Sequence, residues 1–217
     1  MKSLYKISLM GFFGAVMFSS SMNAQVIGGK RIKEDESGPK GQILIYGSYD
    51  YSKTSTPSGN SSEIGTSPSA NASIPIGVGY FINNNDLVGV NYASAKDVVN
   101  GKTTYKQNEA GLWYSPSLML GQYFGLIAQV DAHYVWGKQF DSSNMMENFT
   151  GYRLRAYPML AVFLGSGWAL KFKFAELSML HTKTDEGWTK STVAGIGGST
   201  FGAGISKAID FRKKSKQ

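Results

Sequence analysis

Ionisable side chains recur at alternate positions within otherwise apolar segments of the chain. Asp131 and His133 form one such pair, and Arg153 and Arg155 form another. Because successive side chains of a β-strand point to opposite faces, residues two apart share a face. The residues that this spacing assigns to one common face are Glu109, Asp131, His133, Arg153, Arg155, Lys171, Lys173 and, if its strand contains a bulge, Glu176.

This set holds three acids and four lysines or arginines besides the histidine. A buried charge is costly unless it is paired, so the near-balance predicts a network of ion pairs. If the connection 138–148 closes a symmetrical hairpin, Asp131 lies opposite Arg155 and His133 lies opposite Arg153. We therefore expect a structural plug of salt bridges rather than a path for protons or ions.

Catalysis has few candidate residues, since the chain contains two histidines and no cysteine. His133 belongs to the predicted ion-pair set. His181 precedes Thr182 and follows Ser178 by three residues, which is a weak match to a serine–histidine–acid site. No cluster has metal-ligand spacing, and no motif indicates a cofactor. We expect a protein that is not an enzyme and that needs no metal or cofactor.

The segments that carry these residues have the period of β-strands. From Phe124 to Trp136 every second residue is apolar, which is hard to place on a helix. Similar alternation is present in 42–52, 72–82, 87–96, 103–114, 152–156, 170–174 and a last segment that ends near Phe211. After Ala175 the apolar residues change parity, and one extra residue, a β-bulge, would correct this. We predict an all-β chain of about eight antiparallel, up-and-down strands.

The connections between the predicted strands differ in length. Residues 83–86 (Asn-Asn-Asn-Asp) and 165–167 (Gly-Ser-Gly) are tight turns, whereas 53–71, 138–148 and 182–189 are longer and polar. Short turns at one end and long loops at the other are typical of outer-membrane barrels, where they face the periplasm and the exterior. With the first strand starting in the periplasm, 53–71 is predicted to lie outside the cell.

Aromatic side chains sort into two groups by strand end. Those beside the short turns are Tyr80, Tyr114, Phe124, Trp168 and Phe211, and those toward the long loops are Tyr49, Tyr51, Tyr92, Tyr134, Trp136 and Tyr152. Aromatic rings collect at the two lipid–water interfaces of a membrane. The distribution predicts two aromatic girdles around a transmembrane barrel.

The composition favours the same class of protein. Charged residues make up 17% of the chain and aromatic residues 13%, against roughly 25% charged residues in soluble domains. After the N-terminal segment, no apolar stretch reaches the roughly 18 residues of a spanning helix. A membrane location would therefore require a closed barrel, which satisfies all backbone hydrogen bonds in lipid.

The first 24 residues have the organisation of a secretory signal peptide. Lys2 and Lys6 precede an apolar stretch from Ile7 to Phe18, and small residues lead to a cleavage site after Ala24. We expect a flexible periplasmic leader at 25–41, the barrel at 42–211 and a basic periplasmic tail at 212–217. Much of the net charge of +7 lies in these end segments, so we interpret it as solvated tails and expect no nucleic-acid partner.

Several segments carry a resemblance to a known family. They are SIPIGVGYFINNNDLVGVNYA, GLWYSPSLMLGQYFGLIAQVDAHYVWG, GSGWALKF and FGAGISKAIDF, together with the signal that ends in Asn-Ala-Gln. They resemble the small eight-stranded outer-membrane β-barrels, which include the OmpA transmembrane domain and OmpX, over residues 42–211. The resemblance implies a barrel in outer-membrane lipid and lipopolysaccharide, inserted by the barrel-assembly machinery. Phe211 would act in assembly recognition, although residues 212–217 follow it.

The leading hypothesis is a non-enzymatic outer-membrane barrel with a plugged lumen, with a structural role or a ligand bound through its extracellular loops. One alternative is a soluble periplasmic or secreted barrel that holds an apolar ligand, in which the apolar faces would point inward. Another alternative is a lipid-modifying enzyme built on the same membrane barrel.

Overall fold

A computed structural model of the chain describes residues 30–33, 37–50, 53–57, 64–68, 76–99, 102–140, 146–185, 187–196 and 201–212. The predicted signal peptide, residues 1–24, and most of the predicted basic tail lie outside the described residues. None of the described residues belongs to a helix long and apolar enough to cross a membrane.

Every regular element of the described chain is a β-strand. The strands are β1 (Ile43–Asp50), β2 (Lys53–Pro57), β3 (Ile64–Pro68), β4 (Ile76–Phe81), β5 (Asp86–Val99), β6 (Lys102–Met119), β7 (Phe124–Phe140), β8 (Met146–Gly165), β9 (Trp168–Lys173), β10 (Ala175–Thr184), β11 (Gly187–Ile196) and β12 (Gly202–Ile209). The alternating apolar pattern predicts the strands of the barrel wall but not β2 and β3, which lie in the segment 53–71 that was predicted to be a loop.

The strands close into a barrel. Going round the wall, β4, β5, β6, β7 and β8 follow one another, and β9, β12 and β1 lead back to β4. All of these pairings are antiparallel. β10 and β11 continue β9 and β12 toward the opposite end, since β10 pairs with both β8 and β11. The predicted eight-stranded antiparallel barrel is confirmed.

The seventh wall strand, β9 plus β10, contains a bulge. Lys173 lies opposite Met159 of β8, but Leu177 lies opposite Ala156. Three residues of the seventh strand therefore face two residues of β8, around Phe174, where the strand is interrupted. This is the position at which the change of apolar parity predicts an extra residue.

The two faces of the wall differ in polarity. Along β7, the alternate residues from Gly125 to Val135 are buried, and they include Gln129, Asp131 and His133. The residues between them face outward and are apolar, with Phe124 45% exposed and Tyr134 58% exposed. The same alternation of inward and outward residues puts apolar side chains on the outer face of the other wall strands. They include Ile45, Val78, Tyr80, Val90, Leu112 and Ile205.

The connections that were expected to be long loops are largely paired strands. The β7–β8 ladder continues through Lys138 opposite Asn148 to Phe140 opposite Met146. β10 and β11 pair as far as Thr184 and Gly187, and residues 53–68 contain the β2–β3 hairpin. The strands thus extend into the segments predicted as long polar connections, because polar side chains leave backbone pairing intact beyond the apolar band.

The leader is held at the turn end of the barrel, which is the end that carries residues 83–86, 120–123 and 165–167. Lys30 exchanges two backbone hydrogen bonds with Met119, of 2.8 and 2.9 Å. Arg31 Nη2 lies 2.7 Å from Asp86 Oδ2 in an ion pair. Residues 30 and 31 of the predicted leader thus contact the barrel through backbone hydrogen bonds and an ion pair.

Two asparagine side chains of the 83–86 turn attach the leader. Asn85 Oδ1 accepts a 2.7 Å hydrogen bond from the Ile32 amide, and Asn85 Nδ2 donates to the Ile32 carbonyl at 2.6 Å. Asn84 Nδ2 donates to the Lys33 carbonyl at 2.7 Å, and Asn84 Oδ1 accepts from the Lys40 amide at 3.2 Å. An asparagine amide can satisfy a donor and an acceptor of a passing chain at once.

The described C-terminus contacts the same leader. Arg212 Nη1 donates to the Lys40 carbonyl at 2.9 Å, and Arg212 Nε donates to Asp210 Oδ1 at 2.8 Å. These hydrogen bonds from Arg212 hold the pKa of Asp210 well below its usual range. Arg212 was assigned to a solvated tail, and it is exposed, but it also bridges the two chain ends.

Large inward side chains of the turn-end half require small neighbours. Trp113 of β6 is 4% exposed and packs with Leu44 and Leu87. A Cβ atom at Gly89 would lie 2.4 Å from Cζ2 of Trp113 and 2.3 Å from the Val78 carbonyl oxygen. Glycine at position 89 therefore allows Trp113 to occupy the lumen.

This contact yields a prediction. Gly89→Ala should lower the free energy of unfolding in lipid by roughly 1–3 kcal/mol, because the added methyl group overpacks the interior. Val90→Ile adds a methylene on the outer face of the same strand and should change stability by less than about 0.5 kcal/mol. Urea unfolding of the vesicle-reconstituted protein, followed by tryptophan fluorescence, measures both. Equal stability of the two variants would contradict the packing of Trp113.

Candidate functional site

The centre of the lumen contains an ion-pair network around Glu109 of β6. Glu109 Oε2 lies 2.8 Å from Arg153 Nη1, and Glu109 Oε1 lies 3.1 Å from Arg155 Nη2. His133 Nδ1 is 3.2 Å from the same Oε1. All four side chains are almost completely inaccessible to solvent. Glu109 is thus the hub of the network, receiving both arginines.

Asp131 of β7 forms the second acidic centre. Arg155 Nε donates to Asp131 Oδ1 at 2.9 Å, and the Tyr157 hydroxyl donates to Asp131 Oδ2 at 3.1 Å. Gln129 Nε2 donates in turn to the Tyr157 oxygen at 2.6 Å. Arg155 is therefore shared between two carboxylates, which compensates its charge inside the barrel.

Strand register brings these residues together. The β7–β8 ladder places Asp131 opposite Arg155 and His133 opposite Arg153. Gly111 of β6 lies opposite His133, and a Cβ atom there would lie 2.1 Å from Cδ2 of the imidazole ring. The ring therefore occupies the space that glycine leaves on the neighbouring strand.

His133 can take either of two hydrogen-bonding roles. Its Nδ1 is 3.2 Å from Glu109 Oε1 and also 3.2 Å from Arg155 Nη2. A protonated Nδ1 donates to the carboxylate, whereas an unprotonated Nδ1 accepts from the guanidinium. In both cases the ring contacts Glu109 and Arg155.

Several polar members of the network were missed by the sequence analysis. Gln107 is 2% exposed. Its Nε2 donates to Glu109 Oε2 at 3.3 Å, and its Oε1 accepts from Tyr105 at 2.5 Å and from Arg153 at 3.4 Å. Gln107 lies two residues before Glu109, so the parity that selected Glu109 could also have selected this amide. The predicted inward set contained only ionisable residues, so Gln107 was not included.

The remaining predicted inward charges lie on β9 and β10. Lys173 Nζ is 2.8 Å from Glu176 Oε2, an ion pair across the bulge, and lies 5.5 Å from the centroid of the Tyr157 ring. Lys171 Nζ lies 5.5 Å from the centroid of the Tyr46 ring. The eight predicted residues are thus inside the barrel, but Lys171 is separate from the Glu109 network.

The ion-pair network lies next to a small gap in the lumen. A gap of about 30 Å³ remains beside Arg155, bordered by Tyr157, Gly202 and Gly204. This volume holds about one or two water molecules. Farther toward the loop end, Tyr105 stacks on the buried Phe149 with ring centroids 5.3 Å apart. The described interior therefore has an aromatic layer above its charged layer.

The predicted girdle residues lie at both ends of the wall. Tyr80, Phe124, Trp168 and Phe211 are exposed at the turn end, and Tyr114 donates from its hydroxyl to Asp86 Oδ1 at 3.1 Å. Tyr92, Tyr134 and Tyr152 are exposed near the loop end, where the ring of Trp136 lies 6.3 Å from Tyr92 and 5.8 Å from Tyr134. Tyr51 and the side chain of Tyr49 lie outside the described residues.

An aromatic group at the loop end adds two residues that the girdle prediction omitted. The Tyr152 hydroxyl is 2.8 Å from His181 Nδ1, and the His181 ring lies 5.0 Å from that of Trp188. Lys183 Nζ lies 5.8 Å from the Trp188 ring centroid. Ser178, which was considered as a partner of His181, is buried. Ser178 and His181 lie an odd number of residues apart on β10 and so face opposite sides of the wall.

The described part of the chain also bears on metal binding. No group of three or more histidine, aspartate or glutamate side chains there has a geometry that could hold a metal ion.

The geometry defines the class of protein. The chain forms a closed eight-stranded antiparallel barrel whose outer face is apolar and whose lumen holds Glu109, Asp131 and the two arginines. Lipid is the environment in which an apolar outer surface with an ionised interior is favourable, and closure satisfies the backbone there. This is a transmembrane β-barrel of the outer-membrane type. A soluble barrel would require charged outward faces, and the observed outer faces are the reverse.

Two solved structures are similar to this chain over most of its length. The attachment invasion locus protein Ail of Yersinia pestis is 13% identical, with 78% of this chain and 99% of that chain covered and a TM-score of 0.43. The N-terminal β-barrel domain of Pseudomonas aeruginosa OprF is 12% identical, with 83% and 99% covered and a TM-score of 0.45. No protein-family model matches the chain, and no curated protein sequence matches it.

The network yields a prediction about its hub. Glu109→Ala should lower the free energy of unfolding by about 3–5 kcal/mol, because it leaves two buried arginines short of a counter-charge. Asp131→Ala should cost less, since Glu109 Oε1 still lies 3.1 Å from Arg155 Nη2. Asp185→Ala, in the exposed turn after β10, serves as the control. Urea unfolding in lipid vesicles ranks the three variants, and an Asp131→Ala cost above that of Glu109→Ala would contradict the assignment of the hub.

Proposed function

We propose that this protein is a non-enzymatic, non-conducting barrel of the bacterial outer membrane that holds its loop-end hairpins in a fixed arrangement at the cell surface. The observation that carries the proposal is the combination of an apolar outer wall with buried ion pairs among Glu109, Arg153, Arg155 and Asp131 in the lumen. Its role would be structural or would consist in binding a ligand through those hairpins.

The side-chain plug is supported by the shape of the lumen. Arg155 reaches from β8 toward the glycines of β12, and a gap of about 30 Å³ lies between them. An eight-stranded barrel has an interior that its own side chains can fill. A continuous water column would require the arginine pairs to separate, which is costly because each charge would lose its partner.

The proposed orientation puts the turn end and the leader in the periplasm. Export would depend on the signal peptide, cleaved near Ala24, and membrane insertion on the barrel-assembly machinery, with Phe211 as a recognition residue. Phe211 is 69% exposed and follows the last strand. In the membrane, the partners of the outer face would be lipid and, in the outer leaflet, lipopolysaccharide.

The binding surface of this proposal is the loop end. There the β7–β8 and β10–β11 hairpins extend the wall, and Tyr152, His181 and Trp188 form one aromatic group beside Lys183. Aromatic and cationic side chains on rigid strands are suited to contact a ligand with little loss of conformational entropy. A catalytic role is not favoured, since Ser178 and His181 lie on different sides of the wall.

The plug predicts an absence of conduction. The purified protein in planar bilayers should show no steady ohmic current, because the paired charges leave no water column of ionic width. A porin reconstituted under the same conditions is the positive control. Steady porin-like conductance of the wild-type protein would refute the plug and leave the barrel assignment intact.

The apolar outer wall predicts that a charged substitution costs more in the middle of the membrane than near its surface. Ala128 faces outward in the middle of β7, so Ala128→Arg should cost about 2–4 kcal/mol or block assembly. Asn148→Arg, at an exposed site of β8 beyond the apolar band, should be tolerated. Heat-modifiable migration in SDS gels and urea unfolding in vesicles compare the two variants. Equal assembly and stability of the two arginine variants would contradict the lipid-facing assignment of β7.

A further inference from the structure

The turn-end half of the lumen contains a cavity. Its volume is about 260 Å³, and most of its wall is apolar, including Leu44, Leu87, Ile127 and Phe163. Ile32 of the leader forms part of its floor. The cavity lies below the Glu109 network, so the barrel is filled with side chains at one level and hollow at the next.

Lys171 is the charged residue that borders this cavity. It projects inward from β9 and borders both this cavity and the small gap beside Arg155. Among the inward ionisable residues of the described chain, the acids Glu109, Asp131 and Glu176 are each paired with an arginine or lysine. Lys171 is the cation in excess, and its described contact is with the face of the Tyr46 ring.

Among the described residues, no ion pair with the Lys171 ammonium group is present. Desolvation of an ion is unfavourable unless a partner of opposite charge is present, and a tyrosine face offers only weak compensation. The cavity beneath Lys171 is the space from which such a partner can come. Ser206, 2% exposed, also lines it, and its hydroxyl contacts the Ala169 carbonyl at 3.5 Å.

We propose that this cavity is a binding site for a single-chain amphiphile with a carboxylate head group. The carboxylate pairs with Lys171, and the alkyl chain extends among Leu44, Leu87 and Ile127 toward the leader. One cation matches a monoanion such as a carboxylate, whereas a phosphate would require more donors. The site differs from the loop-end surface and does not depend on it.

The volume of the cavity limits the length of the ligand's alkyl chain. An apolar cavity of about 150 Å³ takes up benzene, with its six non-hydrogen atoms. By proportion, a cavity of about 260 Å³ holds roughly ten non-hydrogen atoms. Octanoate has this size, so medium-chain fatty acids are the ligand class.

The test uses the full protein in phosphatidylcholine nanodiscs, titrated with octanoate in a calorimeter against empty nanodiscs. Wild-type protein should bind one octanoate. Lys171→Met should weaken binding at least about tenfold, because a charge-assisted hydrogen bond is lost. Lys190→Met, at an exposed position of β11, should leave binding unchanged. Octanol, which has no carboxylate, should bind wild-type and Lys171→Met protein equally.

A second variant separates the cavity from the charge. Ala208 lines the cavity from β12, and Ala208→Leu should reduce the binding of both octanoate and octanol by filling the space. Heat-modifiable gel migration verifies that each variant is folded. The proposal would be overturned if titration of octanoate gave the same heats with the protein as with empty nanodiscs. It would also be overturned if wild-type and Lys171→Met protein bound octanoate with equal affinity. Unchanged octanoate binding by folded Ala208→Leu would do so as well.

Discussion

The antiparallel pairing of β12 with β1 closes the wall, and the other features of the molecule depend on that closure. The ladder runs from Ile43 opposite Ile209 to Asp50 opposite Gly202, and it joins the two ends of the barrel sequence. In lipid, an unpaired strand edge would expose peptide groups at a cost of several kcal/mol each. Closure removes that cost and at the same time defines a narrow interior that alternate side chains must share.

The narrow interior explains why the charged residues are arranged around shared partners. Glu109 receives both arginines and Arg155 contacts both carboxylates, so the two acids and two arginines form one connected network. The space for these long side chains comes from small residues on facing strands, such as Gly111 beside His133. Toward the turn end the inward residues become apolar and fill the lumen incompletely. The excess cation Lys171 lies at the boundary of the two regions.

The turn end is closed by chain segments outside the barrel wall. The asparagines of the 83–86 turn bind the leader backbone, and Arg212 binds it from the other end of the chain. These contacts join residues far apart in sequence, and local patterns such as strand period carry no signal of them. A run of asparagines between two strands predicts a turn, but its amides are free to bind any nearby backbone group.

Alternation by itself determined the strands, their inward faces and the bulge near Ala175, because a strand has a fixed period of two. Hairpin symmetry determined that Asp131 faces Arg155. Three features were decided by the tertiary structure: Glu109 as the hub, the inclusion of Gln107 and Tyr157, and the isolation of Lys171. Distances across a lumen depend on barrel closure, stagger and side-chain length together. A linear pattern contains none of these three quantities, so it identifies which residues face inward but not which of them meet.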